Sequence, residues 1–233
     1  MDSKVAVITA GGGGMGEAVT RKLHNEGYRV ALMSRSEVSE SLAKECGGVG
    51  LRGSVTEPVD LERLVSMALD TYGRIDAVVN HTAHPPKGEL LEISDTDWFA
   101  GFDMLVMNVI RMARLVTPVM QKQGGGAWVN ISTFAAFEPE LALPVSCTLR
   151  AGLSAFSKLY ADRYATDNIR MNNLLPGFID SLPHSTETVN RIPMGRVGTK
   201  GEIAETTAFL LSDGASYITG QSLVVDGGVT RHI

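Results

Sequence analysis

Lys4-Val5-Ala6-Val7-Ile8-Thr9-Ala10-Gly11-Gly12-Gly13-Gly14-Met15-Gly16 is the stretch on which the fold turns. A short apolar run stops in a cluster of glycines, and residues 17–26 continue with helical spacing. Strand, glycine turn, helix is the order that holds a phosphate. Glycine permits positive φ, and the free N–H groups and dipole of a helix N-terminus favour negative charge. A glycine run by itself also suits a flexible loop between a strand and a helix, so the decision falls to the rest of the chain.

Working outward, further apolar runs fall at 75–80, 127–133, 174–179 and 223–228. The pattern predicts strands near 4–9, 28–34, 48–52, 75–80, 126–132, 170–175 and 222–225. Helices are expected near 14–26, 37–46, 57–72, 95–122, 146–167 and 200–212. Strands alternating with helices imply crossovers, hence an α/β fold: a doubly wound, Rossmann-type, mainly parallel sheet of about seven strands in a single domain, 1–233. Ligands of such sheets gather beyond the C-terminal strand ends, where Gly11, Ser34, Asn80, Ser132 and Pro176 all lie, so one cleft is expected.

The bulk properties set bounds on function. With 233 residues, 44% apolar and 20% charged, the chain has the composition of a core-forming protein and is too apolar for disorder. A net charge of −5 without a basic run argues against a nucleic-acid partner. No apolar stretch approaches the roughly 18 residues of a membrane span, so a cytoplasmic protein with no membrane partner is expected. Two cysteines, Cys46 and Cys147, do not make a disulfide framework.

Taken together, the motifs resemble the short-chain dehydrogenase/reductase family over essentially the whole length. Thr-Gly-x-x-x-Gly-x-Gly corresponds to residues 9–16, Asn-Asn-Ala-Gly to 80–83, the central-helix Asn to Asn108, the Ser strand to 130–133 and Pro-Gly to Pro176 and Gly177. The resemblance implies a nicotinamide nucleotide held by Gly11, Gly12, Gly13, Gly14, Met15, Ser34, Arg35, Asn80, Arg150, Pro176, Gly177 and Ile179. NADP(H) is favoured, with NAD possible, because Ser34-Arg35 offers donors and a positive charge where an acidic residue would suit two free ribose hydroxyls. Arg35 as a solvated residue opening the next helix is the alternative. Three departures stand out: Ala10 replaces the first glycine, Ser54 an Asp beside the adenine, and His81-Thr82-Ala83 the Asn-Ala-Gly after Asn80.

The family's catalytic Tyr and Lys, four residues apart on one helix face, correspond here to Ser146 and Arg150. Asn108 remains, and Thr133 takes the place of the carbonyl-polarising Ser. A serine hydroxyl is shorter than a phenol and has a far higher pKa, so the expected activity is that of an NADP(H)-dependent oxidoreductase of a small carbonyl or alcohol substrate with atypical acid–base residues. The alternative is a nucleotide-binding relative without dehydrogenase activity, acting as a lyase, sensor or subunit partner. A halohydrin-dehalogenase-like enzyme, which shares an Arg at the Lys position, is a third reading. Cys147, rotated about 100° from Ser146, is expected to face away from the cleft. His81 and His84 are read as a loop pair with no metal, and 180–200 as a short lid or a surface loop. Apolar residues on the long helices, including Val106, Ile110, Leu115, Leu153, Phe156 and Leu159, together with the resemblance, imply a homodimer or homotetramer.

Overall fold

The central strands of the sheet carry apolar residues to both faces, and two large cores result. A computed structural model describes residues 3–231. Its elements are β1 Val5–Thr9, α1 Gly14–Asn25, β2 Arg29–Ser34, α2 Val38–Glu45, β3 Val49–Arg52, α3 Pro58–Tyr72 and β4 Ala77–Asn80, followed by α4 Asp95–Phe102 and α5 Asn108–Gln123. Then come β5 Gly126–Ile131, α6 Pro144–Tyr164, β6 Ile169–Pro176, α7 Thr186–Asn190, α8 Lys200–Leu211 and β7 Ser222–Val225. The strands form one sheet in the order β3-β2-β1-β4-β5-β6-β7, and every pairing is parallel. This is the doubly wound fold that the alternating pattern predicts.

Alternate strand residues separate the cores, as the two-residue period demands. Ile8, Leu32, Val79 and Val129 pack with Val19 and Leu23 of α1, Leu42 of α2 and Ile203 of α8. Val7, Met33, Val78 and Trp128 pack with Leu61 and Leu64 of α3, Met112 and Val116 of α5 and Tyr160 of α6. Trp128 is fully buried, its indole N–H pointing to Met120 Sδ at 3.1 Å.

Two local differences from the expected helices have physical causes. The helix expected near 95–122 is interrupted by a π-helical segment, Asp103–Met107. At its end the Asn108 side chain donates to the Met104 carbonyl, and the Asn108 backbone N–H is displaced to the Asp103 carbonyl, one residue further back. The segment 180–200 contains α7, started by Ser185, whose side chain accepts from Thr188 N. Among the described residues no helix is long and apolar enough to cross a membrane.

Candidate active site

The chain runs from β1 outward to β2 and β3, then returns to β4 on the other side of β1, so the segments leaving β1 and β4 diverge and leave a crevice. A cleft of about 570 Å³ occupies that place, lined by Ala10 and Gly13 from the first turn, Ser34 and Arg35 from the end of β2, Ser54 and Thr56 after β3, and His81, Thr82 and Ala83 after β4. Thr9 holds the two sides in register: its hydroxyl donates to the His81 carbonyl at 2.7 Å and accepts from the His81 N–H at 2.9 Å.

The glycine turn has the shape of an anion cradle. Gly14 sits at φ 56°, and a Cβ on Gly16 would stand 2.1 Å from the Ala10 carbonyl oxygen, so the helix can approach the turn only without a side chain there. Gly13 caps α1 without a side-chain hydrogen bond, and nothing lies within 4 Å of the place its Cβ would take. The first N–H groups of α1 therefore open beside the cleft. Ala10 adopts φ 48°, so the departure from glycine is accommodated by a left-handed alanine.

At the far end of the cleft Arg35 makes no ion pair among the described residues, and Arg52 of β3 donates to its backbone carbonyl at 3.1 Å. Arg52, paired with Ser34 across the strands, brings a second guanidinium to this corner and was not singled out by the sequence motifs. Ser54 hydrogen-bonds Thr56 at 2.8 Å, and its N–H donates to Asp60 at 2.9 Å.

The other motif residues lie deeper. Asn80 donates to Asn130 at 3.0 Å, Asn130 to Asn173 at 3.0 Å, and Asn173 to Ser222 at 3.1 Å. These four residues occupy facing positions on β4, β5, β6 and β7. Ser157 of α6 donates to Asn173 at 2.8 Å and accepts from Asn130 at 3.1 Å. This buried amide ladder fixes the sheet register behind the cleft floor. Its members Asn173 and Ser157 carry no sequence signal of their own, since only the strand register brings them together.

Thr133 caps the short turn Phe134–Ala136, and Ser146 is buried near the start of α6. Arg150 is 6% exposed and donates from Nη1 to the Ile131 carbonyl at 2.9 Å. Burial pulls its guanidinium down to about 10, so it remains charged at neutral pH. Burial, with the Arg150 charge and His84 adding to it, pulls the His81 imidazole down to about 4, so it is neutral. Cys147 turns toward the Glu140 backbone, as its position on the helix predicts, and burial raises its thiol. Gly11, Gly12, Gly14, Met15, Asn80, Asn108, Thr133, Ser146, Arg150, Pro176, Gly177 and Ile179 do not line the cleft; Ala10, Gly13, Ser34, Arg35 and His81 do. No tyrosine is among the lining residues.

A family model described as enoyl-(acyl carrier protein) reductase matches residues 10–230, and the chain is 31% identical over its whole length to dehydrogenase/reductase SDR family member 4 of Caenorhabditis elegans, covering 97% of that protein. The chain belongs to the short-chain dehydrogenase/reductase family. This short-chain dehydrogenase/reductase is also 31% identical to the 3-oxoacyl-(acyl-carrier-protein) reductase FabG of Thermotoga maritima, with 98% of each chain covered. Its structure matches L-sorbose reductase from Gluconobacter frateurii, solved with NADPH and L-sorbose, at a TM-score of 0.93 and 27% identity, over 100% of this chain and 98% of that one. The family is one of oxidoreductases.

Proposed function

We propose that this chain is an NADP(H)-dependent oxidoreductase of a small carbonyl or alcohol substrate, working with altered acid–base residues. The observation that carries the reading is the cleft at the strand-order reversal, with an open glycine cradle at one side and Arg35, without an ion pair among the described residues and joined by Arg52, at the other. A pyrophosphate suits the exposed N–H groups of α1, and a 2′-phosphate suits the two guanidinium groups, whose planar donors match phosphate oxygens. The Gluconobacter frateurii enzyme of the same fold binds NADPH, which supports the same class of cofactor here. Bound there, the nicotinamide would supply or accept hydride.

The chain's own residues then do limited chemistry. The Thr133 hydroxyl can donate to a substrate carbonyl oxygen, while the Asn108 side chain is tied to the Met104 carbonyl at the end of the π-segment. Ser146 cannot match a phenol as acid, so the proton reaches the product oxygen through water, and reduction is slow. Absence of a positioned general acid typically costs about 10² to 10⁴ in rate. The missing phenol also favours a second reading, a nucleotide-binding relative without dehydrogenase activity.

One experiment separates the two. Ser146→Tyr with Arg150→Lys restores the family pair, and in a redox enzyme it raises NADPH-dependent turnover of a ketone panel by about 10²-fold. A folded double variant that binds NADPH yet gains no turnover would remove the redox reading and leave the binding one.

A further inference from the structure

The segment between β6 and α8 is anchored at both ends and loose between them. At its start Ile179 is buried, and the two ends are tied together: the Gly198 N–H donates to the Phe178 carbonyl and the Asp180 N–H to the Gly198 carbonyl, each at 2.9 Å. Further on, Ile192 is buried with Phe134 and Val229, and the Met194 N–H donates to the Gly227 carbonyl at 3.2 Å. No residue from 181 to 191, α7 included, is buried. A cavity of about 340 Å³ bounded by Leu182, His184, Val189 and Val197 lies against this stretch, which is therefore not closely packed.

One polar contact reaches across to another part of the fold. The Arg191 guanidinium pairs with the Glu140 carboxylate and lies over the Phe178 ring, 5.3 Å from its centroid. Beyond the adjoining Phe178, Ile179 and Ile192, Glu140 is the sole polar partner of residues 181–191 among the described residues. The seat is firm. The Leu143 N–H donates to the Glu140 carbonyl at 2.9 Å, the Glu140 N–H donates to Cys147 Sγ at 3.4 Å, and Phe178 meets Phe134 with ring centroids 5.3 Å apart. A half-exposed ion pair and a cation over a ring are weak contacts, so the stretch they hold opens far more often than the sheet does.

We propose that residues 181–191 are a gate that opens as one unit between Ile179 and Ile192, with Arg191 as its latch, Glu140 and Phe178 as the seat, and the nicotinamide end of the nucleotide as the group whose passage it controls. The stretch leaves the C-terminal end of β6, where ligands of such sheets gather, and Glu140 belongs to the segment joining Thr133 to Ser146. The latch therefore bridges the segments that follow β5 and β6. Control of passage rests on the cofactor reading; the latch itself does not.

Limited trypsin digestion of the full chain reads the latch, because cleavage after Arg191 requires its side chain to be released. Glu140→Ala should quicken that cleavage by about 2- to 5-fold, as loss of a part-exposed ion pair implies, and high salt should bring the native rate toward that of the variant. Leu141→Ala, at an exposed neighbour, should leave the rate unchanged. Stopped-flow NADPH fluorescence reads the gate. Association and release should both quicken in Glu140→Ala by about the same factor with Kd preserved, because a gate alters passage and not the bound state. An unchanged cleavage rate in Glu140→Ala, or an equal gain in Leu141→Ala, overturns the latch. Faster cleavage with unchanged NADPH rates overturns the gate. If NADPH does not bind at all, the cofactor reading falls, and cleavage alone decides the latch.

Discussion

Ala10 and His81, both at positions where the family places another residue, have consequences measurable without any substrate. Ala10 holds φ 48°, a conformation that costs an L-residue about 1–2 kcal/mol and glycine almost nothing. Ala10→Gly should therefore raise stability by about 1 kcal/mol, or about 2–4 °C in Tm for a chain of this size, read by calorimetry. An unchanged or lower Tm would mean that the turn relaxes around the alanine. His81 is held near 4 in the fold against 6.5 for the free side chain. Between those values the unfolded chain binds the extra proton, so stability falls as pH drops from 6.5 toward 4, by at most about 1.4 kcal/mol per pH unit from this residue. In His81→Asn the loss of urea resistance between pH 7 and pH 5 should be smaller; an identical loss would place the acid sensitivity elsewhere. Ser146 and Arg150 were legible by counting back from Pro176 and Gly177. The inward turn of Arg150 was not, because it depends on which backbone carbonyl of β5 comes to lie beside α6.

The strands, long helices and cleft followed from periodicity and glycine placement, since alternation and crossover lengths constrain them strongly. What escaped were features that depend on side-chain hydrogen bonds: the π-segment ending at Asn108, the α7 turn capped by Ser185, and the Asn80–Asn130–Asn173 ladder. Such features need three-dimensional neighbours that a linear pattern does not name. The outer faces of α5 and α6 border a groove containing Ile110, Phe156, Leu159 and Tyr164. Leu159 is 69% exposed, an unusual position for leucine beside so many apolar neighbours. We expect two copies to pair through this face. Light scattering at micromolar concentration should give at least a dimer for the native chain and a smaller species for Leu159→Asp. A native monomer, or an assembly unaffected by the substitution, would contradict that pairing.

At the scale of the molecule, one parallel sheet with its order reversing at β1 and β4 gathers a glycine cradle, two arginines and a cluster of polar side chains with buried atoms (Asn80, His81, Ser132 and Arg150) along its C-terminal edge. The cluster at β4 and β5 and the arginines at β2 and β3 lie on opposite sides of β1, and a dinucleotide lying across the switch point would span between them. Its phosphate preference is the central claim, because the ends of β2 and β3 supply positive charge and no acidic side chain stands at Ser34. Calorimetric titration of NADPH and NADH into the native chain and into Arg35→Ala measures it directly. The account predicts that NADPH binds the native chain more tightly by about tenfold or more, as expected for a charge-assisted phosphate contact, and that most of this preference disappears in Arg35→Ala. Equal affinities for the two nucleotides in both proteins, or binding of neither, would contradict it.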